Sequence, residues 1–147
     1  MFKGHYINSI NEKGRLSIPS KFREALDGSG HDHLIITKSF DPCLTAYLPD
    51  EWEKVEEKTR HLSMVRKADN FFLRHIFGSA VECSLDPQGR VLIPASLREY
   101  ALLEKKCLFV GITERFEIWD MERYDSFMKQ AMESPEELRE ELAKLGL

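Results

Sequence analysis

The chain has 147 residues, 42% hydrophobic and 31% charged, which excludes disorder and describes one globular domain or two small halves sharing a core. Its formal net charge of −4 is unevenly spread: Lys3, Lys13, Arg15, Lys21 and Arg23 outweigh Glu12, Glu24 and Asp27 at the start, whereas five glutamates outweigh Arg139 and Lys144 over residues 133–147. That polarity permits an anionic partner, and apolar runs as short as LFVGI exclude a helical membrane span.

The opening HYINSIN alternates polar and apolar residues, as a half-buried strand does. Asn11-Glu12-Lys13-Gly14 then reads as a tight turn, because an Asn side chain accepts backbone N–H groups ahead of it and Gly carries no Cβ penalty. RLSI is a short strand stopped by Pro19, which lacks the ladder N–H but suits the first turn of a helix. SKFREAL follows as a short amphipathic helix with Phe22 and Leu26 on its apolar face. LIITK (34–38) and CLTAYL (43–48) read as strands, DEWEKVEEKTRHL from residue 50 as a helix, and SMVRKADNFFLRHIFG (63–78) as a helical bridge.

The same series then begins again. SAVECSLD is a strand, Asp86-Pro87-Gln88-Gly89 a turn, RVLI a strand stopped by Pro94, and ASLREYALL a helix using Leu97, Ala101 and Leu102. LFVGI and RFEIWD (115–120) are strands, and a helix follows from Met121, so that Tyr47 aligns with Trp119 and Trp52 with Tyr124. A last helix is expected from Ser134, with Pro135 in its first position, Glu137 completing a Ser-x-x-Glu capping box and Gly146 ending it. Its Leu138, Leu142 and Leu145 form a narrow stripe that would dock on the chain's own body or on a neighbouring subunit.

NEKGRLSIPSKFRE (11–24) and DPQGRVLIPASLRE (86–99) keep every internal spacing, which marks a duplicated unit. Either half alone buries too little apolar surface and leaves strand edges open. Pairing the halves about an internal pseudo-twofold axis predicts a mainly β (α+β) small barrel with peripheral helices. The expected organisation is a first half at 5–50, a helical bridge at 51–78, a second half at 79–122 and C-terminal helices at 123–147.

At these residues the sequence resembles the MraZ family, bacterial proteins of the wider AbrB-like swapped-hairpin group. MFKGHYINSINEKGRLSIPSKFRE is similar to the family's N-terminal signature, and DPQGRVLIPASLRE to its second copy. The resemblance implies a swapped-hairpin barrel and a transcriptional regulator that binds repeated DNA boxes upstream of the division and cell-wall gene cluster. It also implies a homo-oligomeric ring, cytoplasmic residence and association with the nucleoid. The family pattern Asp-x-x-x-Arg is kept by Asp86 and Arg90, but the first copy has Asn11 before Arg15. Asn can serve the turn but supplies no carboxylate to orient an arginine, so the two halves need not contact DNA equally.

From the residues themselves, Arg15 and Arg90 each leave a glycine at the exit of a turn, where a long cation can reach a phosphate or the O6 and N7 atoms of guanine. Lys13 and Lys3 are expected to position the phosphate backbone, and Asn11, Gly14, Asp86 and Gly89 to shape the turns. Arg23 and Arg98 are instead expected to make an ion pair with the following glutamate or to serve a helix face. No nucleotide loop or nucleophile motif points to an enzyme, a cofactor or a small-molecule substrate. His31-Asp32-His33 falls in a turn without a third metal ligand. Three cysteines with no CxxC spacing read as reduced, buried thiols of a cytosolic protein, and the N-terminus lacks a secretion signal. The rival reading is an oligomeric protein-binding scaffold that does not recognise DNA.

Overall fold

The computed structural model describes residues 1–147. The first half contains β1 (His5–Ser9), β2 (Arg15–Ser17), α1 (Ser20–Gly28), β3 (His33–Lys38), β4 (Leu44–Tyr47) and α2 (Pro49–Thr59). A bridge of α3 (Lys67–Phe72) and a π-helical turn (Leu73–Phe77) leads to the second half. That half contains β5 (Val81–Ser84), β6 (Arg90–Leu92), α4 (Ala95–Ala101), β7 (Lys106–Ile112), β8 (Arg115–Asp120) and α5 (Met121–Ala131), and α6 (Pro135–Ala143) closes the chain.

Six strands form one antiparallel sheet in the order β1-β7-β8-β4-β3-β5, and β2 pairs with β6 as a separate antiparallel ribbon. Exchanging each strand for its repeat counterpart reverses that order and reproduces it, which is the signature of internal twofold symmetry. The halves also exchange strands. β1 lies along β7 of the other half, with Ile7 opposite Leu108, and β5 lies along β3, with Cys83 opposite Leu34. Two ladders straddle the axis: Thr45 faces Glu117 between β4 and β8, and Leu16 faces Val91 between β2 and β6. The ribbon is tied to the sheet by the Ile10–Leu16 bridge and by Asn8 Nδ2, which donates to Ser17 O at 2.7 Å. Sheet and ribbon together make the duplicated, barrel-like α+β body that the repeat predicts, with the swapped-hairpin arrangement that the family resemblance implies.

The core explains why neither half suffices. Leu16, Ile18, Phe22 and Leu26 from the first copy share one cluster with Val91, Ile93, Leu97 and Ala101 from the second. Burial of one large aliphatic or aromatic side chain contributes about 1.5–3 kcal/mol, and here each copy is the other's buried environment. On the outer face the copies repeat a smaller motif. The Tyr47 and Trp52 rings sit 5.4 Å apart under α2, and the Trp119 and Tyr124 rings 5.3 Å apart under α5.

Three local expectations are corrected. Leu102, expected on the apolar face of α4, follows the end of that helix in left-handed backbone (φ +52°) and is exposed. Pro19 and Pro94 are caps that precede α1 and α4, with extended backbone (ψ 140° and 151°), because their carbonyls accept the first helical N–H bonds. The Ser134 side chain makes no cap bond, so the expected box at α6 does not form. The side-chain cap occurs instead at α5, where Asp120 accepts from Arg123 N at 3.2 Å. No helix is long and apolar enough to cross a membrane.

Candidate nucleic-acid interface

The period-two alternation of the β2–β6 ribbon sorts its six residues onto two faces. Leu16 and Val91 point into the core and are almost wholly buried. Arg15, Ser17, Arg90 and Leu92 occupy the outer face, with Arg15 opposite Leu92 and Arg90 opposite Ser17. The two arginines therefore lie diagonally across one face, related by the internal axis that passes between Leu16 and Val91. Both are partly exposed, and Leu92 between them is exposed.

Each arginine is presented by a closed turn. In the first, Gly14 N donates to Asn11 O and Asn11 N donates to Arg15 O, both at 3.0 Å. In the second, Gly89 N donates to Asp86 O at 2.9 Å and Asp86 N to Arg90 O at 2.8 Å. The Asn11 side chain accepts from Lys13 N and Arg15 N, as the Asp86 side chain accepts from Gln88 N and Arg90 N. Gly14 (φ +88°) and Gly89 (φ +76°) occupy left-handed backbone that favours glycine.

The copies differ in one contact. Arg90 Nε donates to Asp86 Oδ2 at 2.9 Å, so a single bond aims the guanidinium through Nε and engages neither terminal nitrogen. The Arg90 backbone N–H, and then its guanidinium, hold the Asp86 carboxyl below the usual carboxylate range. Arg15 has no side-chain hydrogen bond or ion pair, because Asn11 spends its one oxygen on the turn.

The other half braces each turn. Ile93 N donates to Gly14 O at 2.8 Å, and Ile18 N donates to Gly89 O at 3.0 Å. Arg98 lies against Gly14 and donates from Nε to Ile93 O at 2.9 Å, while Arg23 lies against Gly89 with its Nε buried and unpartnered. The expected ion pairs of Arg23 and Arg98 with their neighbouring glutamates do not form. The short helices point these side chains at the opposite turn, a direction that only the strand exchange creates.

Lys13 stands beside Arg15 in the first turn and is exposed. Lys3 is not brought to the ribbon. The backbone ladder places Gly4 against Gly111 at one end of β7 and Ile10 against Lys105 at the other, so Lys3 and the first turn lie at opposite ends of β1. The same ladder brings Lys105 and Lys106 beside the chain entering the first turn. Neither lysine is in the repeated motif, and only the β1–β7 pairing could have pointed to them.

His31 and His33 each meet a carboxylate, Asp50 and Asp32, at 3.1 Å, and His33 opens β3. The His33 contact holds Asp32 below the ordinary carboxylate range. No group of three His, Cys, Asp or Glu side chains is placed to hold a metal.

The site so described is a two-stranded ribbon with a symmetric pair of arginines on its open face. A family model described as "MraZ protein, putative antitoxin-like" matches the chain twice, at residues 1–75 and 76–145.

Proposed function

This chain belongs to the MraZ family, and from that premise, which supports a regulator-type role, we propose that it is a sequence-specific DNA-binding transcriptional regulator. Its targets are repeated boxes upstream of the division and cell-wall gene cluster, and it works as a homo-oligomeric ring in the nucleoid-associated cytoplasm. The observation that carries this reading is the outer face of the β2–β6 ribbon, where Arg15 and Arg90 share one side and Lys13 flanks the first turn.

An antiparallel two-stranded ribbon has the width to enter a major groove. Arg90, aimed through Nε by Asp86, keeps both terminal nitrogens for a bidentate contact with guanine. Arg15 has no such anchor and suits a phosphate or a base equally. One subunit offers few cations, so affinity comes from several subunits engaging several boxes at high effective concentration.

The test compares wild type, Arg15→Ala, Arg90→Ala and Lys13→Ala on a promoter fragment carrying repeated boxes, at two salt concentrations. Each arginine loss is expected to weaken binding by roughly 5- to 150-fold, the worth of a bidentate base contact. Arg90→Ala is expected to erode discrimination against a scrambled fragment more than Arg15→Ala does. Lys13→Ala should weaken both fragments alike and lower the salt slope by about one. Unchanged affinity in both arginine variants, with assembly intact, would remove the ribbon from the mechanism. A protein scaffold without DNA contact would pass unretained through immobilised heparin and duplex DNA.

A further inference from the structure

Two surfaces outside the ribbon lack partners, and their chemistries match. The first lies on the bridge between the halves. Phe40 (61% exposed) and Phe71 (56% exposed) both stack on His75, with ring centroids 5.7 and 5.2 Å away and interplanar angles of 23° and 12°. His75 is fixed from beneath, its Nε2 lying 2.8 Å from Ser39 O and 3.2 Å from the Tyr100 hydroxyl. The result is a rigid aromatic platform open to solvent. Cations outnumber acids around it: Lys67 and Arg74 share its helical face, Arg66 precedes α3, and Lys38 lies over the Tyr100 ring at 5.1 Å, whereas Asp41 follows Phe40 beside the Tyr100 hydroxyl. Over residues 60–75, Arg60, Arg66, Lys67 and Arg74 face only one acid, Asp69.

The second surface is α6. Leu138, Leu142 and Leu145 recur at the spacing of one helical face, and all three are exposed. Glu137 and Glu141 run beside that stripe, within a tail whose five glutamates outnumber its two cations. No hydrogen bond or ion pair ties residues 134–147 to the rest of the chain. The platform lies over β3, whereas α5, which leads into α6, packs on β7 and β8 across the sheet.

We propose that α6 of one copy docks its leucine stripe on the Phe40–Phe71–His75 platform of the next copy, with its flanking glutamates facing Lys38, Arg66, Lys67 and Arg74. The charge balance favours a second copy as the occupant: the acidic tail and the basic platform are complementary, and each is poorly matched to itself. The contact joins two different surfaces, so it repeats head to tail and closes into a ring when the rotation between neighbours allows it. It rests on the homo-oligomer part of the proposed function and names the surface that part requires.

The test uses two full-length variants. Leu138→Asp with Leu142→Asp spoils the stripe, and Phe40→Ser with Phe71→Asp spoils the platform. All four positions are exposed, and thermal melts check that both variants stay folded. By light scattering, at concentrations where the wild type is assembled, each variant alone is expected at the monomer mass of 17.1 kDa. An equimolar mixture is expected to form a dimer and nothing larger, since one intact stripe and one intact platform remain between the two variants. High salt should dissociate that dimer. Variants that assemble as the wild type does, or a mixture that stays monomeric, would overturn the docking while leaving DNA recognition untouched. A wild type that is itself monomeric would overturn the docking together with the homo-oligomer part of the proposed function.

Discussion

Asp86 Oδ2 accepts the Nε–H of Arg90 at 2.9 Å, and at the matching place in the other repeat Asn11 leaves Arg15 unheld. One oxygen atom therefore separates an aimed arginine from a free one on the same ribbon face. Asp86→Asn should keep the turn, since an amide oxygen still accepts from the Gln88 and Arg90 backbone, and should release the guanidinium. The expected result is weaker discrimination between box-bearing and scrambled DNA with affinity for scrambled DNA retained, measured by titration on both. The ionised Asp86 is favoured in the fold, because its carboxyl lies below its ordinary value, held first by the Arg90 N–H. Its contribution to stability is therefore present above about pH 4, the unfolded carboxylate value, and is lost as pH falls through the lowered folded value. The difference in denaturant midpoint between wild type and Asp86→Asn should accordingly narrow on acidification.

The two turn glycines predict unequal penalties. A Cβ at Gly14 would lie 2.8 Å from the Ile93 carbonyl oxygen, which belongs to backbone of the other half and cannot give way. The three atoms nearest to a Cβ at Gly89, the closest at 2.5 Å, all belong to the Arg23 side chain, which can swing aside. Both replacements strain a positive φ, at about 1–3 kcal/mol. Gly14→Ala should therefore lower the melting temperature more than Gly89→Ala, and equal losses would contradict the bracing.

Leu16 and Arg15 are neighbours in sequence but opposite in role. Leu16→Ala should cost about 2–5 kcal/mol, because it empties a site on the axis that Val91 and both short helices surround. Arg15→Ala should cost no more than about 0.5 kcal/mol, as surface changes do, while weakening DNA binding. Chemical denaturation of both variants checks the contrast.

Cys43, Cys83 and Cys107 are free and buried. Burial pushes the Cys83 thiol up to about 11 and the Cys107 thiol to about 12, and raises Cys43 further still. The thiolate is the reactive form, so a thiol-specific reagent at pH 8 should label the native protein slowly. It should titrate all three cysteines once denaturant is added.

Much of the architecture was legible in the residues, because turns, alternation and helix faces are local properties. The spacing of GRLSIP and GRVLIP located both copies, the apolar positions Phe22, Leu26, Leu97 and Ala101 proved buried, and the aligned pairs Tyr47–Trp52 and Trp119–Tyr124 proved to be matching contacts. Asn11 in place of an acid already implied an unheld Arg15, since an amide oxygen occupied by the turn has no charge to offer. What only the tertiary structure decided depends on which strand lies beside which, and that is set by long-range pairing that no local pattern encodes. Exchange of β1 and β5 between halves aims Arg98 at Gly14 and Arg23 at Gly89, brings Lys105 and Lys106 to the first turn, and carries Lys3 away from it. The same pairing sends both arginines to one face of the ribbon, because Leu16 and Val91 must turn inward to fill a core that neither repeat could close alone.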